Sequence, residues 1–136
     1  MVDATINLWA VLAAAVAAMI IGSLWYSPMM FAKSWLAALA KTEADIKADM
    51  AGMAYFVATI GSLVTAYVLA HFISYVGATN VWAGALTGFW IWLGFIVTMM
   101  ATGAMFENYP KVLFFINATN SLVTLLAMGA ILGSWL

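Results

Sequence analysis

Residues 81–106 read VWAGALTGFWIWLGFIVTMMATGAMF, 26 positions without a charged side chain or a proline. A helix needs about 20 apolar residues to cross the hydrocarbon core of a bilayer. This run has no charged stripe to turn towards water, as a surface helix would. It therefore reads as a membrane span. Three further runs of the same kind flank it, at about 7–26, 53–76 and 112–135. The whole chain of 136 residues is 68% hydrophobic and 7% charged, which leaves too little polar surface for a protein bathed in water on all sides. The expected fold is all-α: one integral membrane domain over 1–136, a bundle of four transmembrane helices with a short amphipathic interfacial helix after the first.

The connections divide unequally. The segment 27–52 holds Lys33, Lys41, Glu43, Asp45, Lys47 and Asp49, nearly all the water-soluble surface. Gly77-Ala78-Thr79-Asn80 is an uncharged tight turn in which Gly and Asn suit positive φ, so spans two and three are expected to be antiparallel neighbours. Glu107-Asn108-Tyr109-Pro110-Lys111 leads into the last span, with Pro110 suited to a first helical turn. All four lysines fall on the side of the first and third connections, and there is no arginine. The positive-inside rule then places that side in the cytoplasm and both termini outside, which gives a multi-pass protein of a bacterial inner membrane. A cleaved signal peptide is disfavoured, because Asp3 is the only charge before Lys33 and the first apolar run extends to Trp25 and Tyr26. The absence of cysteine removes disulfides and thiolate chemistry. A net charge of −1 argues against nucleic acid as a partner.

Within 27–52, Ser27 precedes Pro28 and is pushed out of helical geometry, so the first span ends near Tyr26. Ser27 then caps a short helix with Pro28 in its first turn. Its wheel sets Phe31, Ala32, Trp35, Leu36 and Leu39 against Lys33, Ser34, Ala37 and Lys41, the pattern of a helix lying in the interface. Trp25, Tyr26, Ser27 and Pro28 thus form a structural corner. Thr42 and Asp45 resemble a capping box for the next helix, with Glu43 and Lys47 at i, i+4.

Most of the tryptophans and tyrosines fall at the two membrane boundaries, but Trp90 and Trp92 lie near the bilayer centre, where an indole N–H wants a partner. They either pack or line a pathway. Small and polar residues mark expected packing faces: Asn7, Ala14, Ala18, Gly22 and Trp25; Tyr55, Thr59, Ser62 and Thr65; Gly84, Thr87, Gly94, Thr98 and Thr102; Asn117, Asn120, Ser121 and Thr124. Gly84-x-x-x-Gly88 and Gly129-x-x-x-Gly133 let backbones approach, within one chain or between chains. Asn117 and Asn120, with Thr124 beyond, either pack against Thr59, Ser62, Thr98 or Thr102 or line a polar route. Glu107 has Lys111 four residues on, at ion-pair spacing. His71, the only histidine, is a hydrogen-bonded or lipid-interface residue in one reading and a titrating group or ligand in the other.

Gly22-Ser23-Leu24-Trp25-Tyr26-Ser27-Pro28 followed by Phe31, Lys33 and Trp35, then Trp92-Leu93-Gly94-Phe95, Phe106-Glu107, Leu113-Phe114-Phe115-Ile116-Asn117 and Met128-Gly129-Ala130-Ile131-Leu132, resembles the family classed as domain of unknown function 1761. The resemblance spans nearly the whole chain. It implies a bacterial four-helix membrane protein and transfers no catalytic residue. One histidine and five acids without HExxH, a histidine cluster or a nucleophile motif offer no catalytic constellation, so neither an enzyme nor a cofactor or metal is expected. Two functions remain. The first is a non-enzymatic scaffold, a homo-oligomer or accessory subunit that meets the lipid bilayer and itself or another membrane protein. The alternative is a small-solute or ion transporter or channel formed by oligomerisation, although no carboxylate lies within a span to couple protons.

Overall fold

The computed structural model describes residues 4–39 and 43–135, with side chains at 4–39 and 52–135. Asp3, Lys41 and the expected capping residue Thr42 lie outside the described residues, and the side chains of Glu43, Asp45, Lys47 and Asp49 are not described.

Helix α1, Leu8–Trp25, is followed by the short α2, Ala32–Leu39, and the long α3, Glu43–Val76. The third span comprises α4, Val81–Ile91, a π-helical turn Trp92–Ile96, and α5, Val97–Phe106. The chain ends in α6, Lys111–Ser134. Among the described residues four spans are long and apolar enough to cross a membrane: Leu8–Trp25, Gly52–Val76, Val81–Phe106 and Lys111–Ser134. The protein is an all-α, multi-pass membrane bundle with its apolar runs where the hydropathy puts them.

Local chemistry fixes the ends. Asn7, expected on a packing face, instead caps α1: its side chain accepts from Trp9 N (3.0 Å) and Ala10 N (3.3 Å). Asn80 is not a positive-φ turn residue either. It is extended, at φ −149°, and caps α4 by accepting from Ala83 N at 2.8 Å. Among the described residues the left-handed positions are Gly77 (φ 71°) and Asn108 (φ 55°). Each follows the end of a span, where Ala78 N donates to Ile73 O (3.1 Å) and Tyr109 N to Ala104 O (3.0 Å). Those bonds satisfy carbonyls that a helix end leaves free. Pro110 precedes α6 and accepts from Phe114 N.

α6 is the central helix, in contact with α1, α2, α3, α4 and α5. The core joins Ala10, Ala14, Ala15 and Ala18 of α1 with Ala66, Leu69, Ala70 and Ile73 of α3 and Leu125, Met128 and Leu132 of α6. α4 lies on α6 at backbone contact: a Cβ at Gly84 would overlap the Gly129 carbonyl, and one at Gly133 would lie 2.8 Å from Gly84 Cα. The two small-residue motifs therefore face each other within one chain. Spans two and three are joined by their tight turn but separate beyond it, since α3 packs chiefly on α1 and α4 on α6.

The π turn redirects the third span. Val97 N bonds to Trp92 O, five residues back, which inserts one residue and rotates the rest of the span by about 100° relative to an unbroken helix. Gly94, Thr98 and Thr102, expected on the face of Gly84, are exposed at the bundle surface instead. The Thr98 and Thr102 hydroxyls donate to the carbonyls of Gly94 (2.9 Å) and Thr98 (3.0 Å) in their own helix. α5 buries none of its residues.

Candidate functional site

Two structures meet around α6 on the lysine-bearing side: a polar hub and a cavity. The hub begins at the corner after α1. Ser27 Oγ donates back to Leu24 O (2.6 Å), so it closes α1 and does not cap the next helix. The Ser27 carbonyl accepts from Met30 N and Ala32 N, and α2 starts at Ala32, four residues later than Pro28. The amphipathic face of α2 is as its wheel implies: Phe31, Ala32, Trp35, Leu36 and Leu39 are partly buried, while Lys33 and Ser34 are exposed.

The corner grips α6. Trp25 Nε1 donates to Ile116 O at 3.0 Å, and the Tyr26 hydroxyl donates to Asn117 Oδ1 at 2.6 Å. Trp25 packs on Phe31 and Tyr26 on Trp35, each with ring centroids 4.9 Å apart. From the third span Trp92 Nε1 reaches Ala118 O (3.0 Å) and Ser121 Oγ (2.9 Å). Three aromatic donors thus converge on one stretch of α6, and Asn117 answers Tyr26 of the first span rather than a hydroxyl of the second or third. A tyrosine ending one helix and an asparagine mid-way along another carry no local signal of pairing. An amide facing α1 is therefore not to be read from spacing.

The cavity, about 650 Å³, lies between α1, α2, α3 and α6. Ala18, Met19 and Gly22 line it from α1, Trp35 and Leu36 from α2, and Asn120, Thr124 and Met128 from α6. From α3 come Ala54, Ala58, Gly61 and Thr65, with Ser62 beside them. Their 4, 3, 4 spacing makes one helical stripe of small side chains, the signal by which a void is detectable in the sequence. Tyr55, Ala58, Gly61 and Thr65 are exposed at its rim. Among the described residues that line it there is no charged or imidazole side chain, so the wall they form suits a neutral organic molecule and offers no strong metal ligand.

Asn120 differs from every other lining residue. Its amide stands beside the Tyr26 hydroxyl, yet its Oδ1 is buried without a hydrogen-bond partner. Leaving such an acceptor unpaired costs about 1–3 kcal/mol. Ser62 Oγ, by contrast, has the Met19 sulfur at 3.4 Å.

The remaining expected residues lie apart. His71 Nδ1 donates to Tyr67 O at 2.8 Å, and its ring sits 4.6 Å from that of Tyr67 and 6.1 Å from that of Tyr75. Trp90 is 60% exposed, with its ring against that of Phe89. Glu107 is exposed past the end of α5, where it accepts a hydrogen bond from the Tyr109 phenol. That bond first, and the carboxylate charge second, hold the phenol above its ordinary pKa.

Four apolar spans, three of them packed around the fourth, define a class: multi-pass helical membrane proteins. Within it the chain belongs to the family described as Protein of unknown function (DUF1761), whose model matches residues 9–133. No curated protein and no solved structure matches the chain.

Proposed function

We propose that the protein is a non-enzymatic membrane carrier that takes up a small neutral solute, the transport alternative, and is more than a bare scaffold. The cavity carries this reading. At about 650 Å³ it falls in the size range of small-molecule sites, it is mostly apolar with a few polar groups, and its rim along α3 is open. Lateral access favours a molecule soluble in the bilayer. A neutral polarity-sensitive dye should bind the detergent-solubilised protein saturably at a single site. Ala58→Trp, which fills the void, should abolish that binding with helix content unchanged. Dye binding that never saturates, or that survives Ala58→Trp, sinks the reading.

The scaffold function is supported by a separate observation: α5 buries none of its residues, which leaves that face for a second copy or another membrane protein. Cross-linking in native membranes through a residue placed at exposed Met99 or Phe95 tests it. For either function the orientation follows the lysines, with the loop from Ser27 in the cytoplasm of a bacterial inner membrane and both termini outside. A reporter active only in the cytoplasm, fused after Leu136, should stay silent; strong activity there reverses the topology.

A further inference from the structure

We infer that Asn120 is the recognition residue of the cavity, and that its ligand is an uncharged, largely apolar molecule bearing a hydroxyl-type hydrogen-bond donor. This rests on the binding function proposed above and names the ligand's chemistry.

The aromatic donors of the hub are already committed. The Tyr26 proton goes to Asn117 Oδ1, and the Trp92 indole proton to Ala118 O and Ser121 Oγ. Neither reaches Oδ1 of Asn120, which has no hydrogen-bond donor among the described residues. The residue nevertheless lines the void. Its terminal amide torsion is broad and roughly two-fold, so rotation about Cβ–Cγ turns the carbonyl from the wall to the cavity, in exchange for the amide's contact with the Tyr26 hydroxyl. A ligand that donates one hydrogen bond there satisfies an acceptor that the fold leaves unpaired. A charge would find no counter-charge among the described lining residues, and burying it unpaired is prohibitive. The apolar remainder of the ligand lies against Met19, Leu36 and Met128, and enters past the exposed small residues of α3.

The molecule supplies its own control. A second groove between α1 and α3, lined by Leu12, Val16, Ile20, Leu24 and Leu63 among others, is almost wholly apolar and holds no amide. Two chain-matched diazirine probes, a long-chain primary alcohol and its methyl ether, should be photolysed in proteoliposomes of zwitterionic phospholipid, with adducts mapped by mass spectrometry. Labelling of the cavity relative to the groove should be about threefold to tenfold higher for the alcohol, the worth of one hydrogen bond within a membrane protein. Asn120→Leu should erase that preference while ether labelling persists, and Asn120→Ser, which keeps an oxygen, should retain part of it. Equal labelling by both probes in the wild type overturns the assignment of Asn120 and leaves the binding function standing. Failure of both probes to label the cavity removes the binding function and this inference together. The wild-type comparison decides the matter even where Asn120→Leu does not assemble.

Discussion

The half of the bundle beside the Gly77–Asn80 turn and the half beside the lysines use the same small residues to opposite effect. Near the turn, Gly84 and Gly88 of α4 meet Gly129, Gly133 and the Leu125 backbone of α6, and alanines of α1 interlock with Ala66, Leu69 and Ile73 of α3. Near the lysines, Ala54, Ala58 and Gly61 of α3 face a void. A small residue closes a gap between helices only where the opposite helix is free to come in. On the lysine side α2 packs against α6, and Trp35 and Leu36 hold the place an approaching α3 would take. Absence of side chain produces contact in one half and a cavity in the other.

Breaking the closed half should have the largest effect. A branched side chain at position 84 meets backbone on two residues of α6, which no rotamer relieves. Gly84→Val should therefore cost about 3 kcal/mol or more in detergent unfolding. Gly61→Ala, where an added Cβ meets nothing within 4 Å, should change stability by under about 1 kcal/mol. Equal losses from the two would dissolve the contrast between the halves.

The open half depends on directional bonds, so its losses should be smaller. Tyr26→Phe removes the donor to Asn117 and leaves that amide oxygen unpaired, at about 1–2 kcal/mol. Unfolding of the variant in detergent measures it, and Asn117→Leu in the same background should restore part of the loss, because the orphaned acceptor goes too. If the double variant is less stable than Tyr26→Phe alone, Asn117 has partners beyond Tyr26.

Pro28→Ala sharpens the account of the corner. Pro28 biases Ser27 away from helix, but Trp25 and Tyr26 are also tied to α6 directly. The expected loss is at most about 1 kcal/mol, with Trp35 more accessible to an aqueous quencher. Unchanged stability and unchanged Trp35 quenching would mean that the two aromatic ties hold the turn alone.

The spans are legible because apolar length is a property of the chain alone: the run 53–76 reads as a span and Gly52–Val76 is apolar helix. The face of α2 is legible for the same reason, since eight residues cannot drift far from a wheel. The hydroxyl face of the third span is not. A single π turn at Trp92–Ile96 moves Thr98 and Thr102 out of the register of Gly84, and no residue type announces it. The site is half visible. Asn117, Asn120, Thr124 and Trp92 stand out as polar groups at membrane depth, but Tyr26 as the partner of Asn117 depends on where two distant helices cross. His71, Glu107 and Trp90 attract notice by chemistry and are brought to neither the hub nor the cavity.

The smallest expected effect separates the two loops that end the second and third spans. Gly77 and Asn108 close their helices with the same left-handed geometry, but only the lysine-side loop carries titrating groups, Glu107 and Tyr109. Glu107 accepts the phenol's hydrogen bond and repels the phenolate, so the Tyr109 pKa is raised in the folded protein. A folded pKa above the unfolded one means that the contribution is fully present below the ordinary tyrosine range and is lost as pH rises through the raised value. The loop is exposed, so its effect on overall stability should be slight; the clear readout is the titration of Tyr109 itself, followed by NMR of ring-labelled protein. Glu107→Gln removes the charge and should move the Tyr109 midpoint down towards that of a free tyrosine, with the closed half undisturbed. An unchanged midpoint would show that Glu107 is turned to water and that the geometry of Asn108, not the carboxylate, sets the position of the phenol.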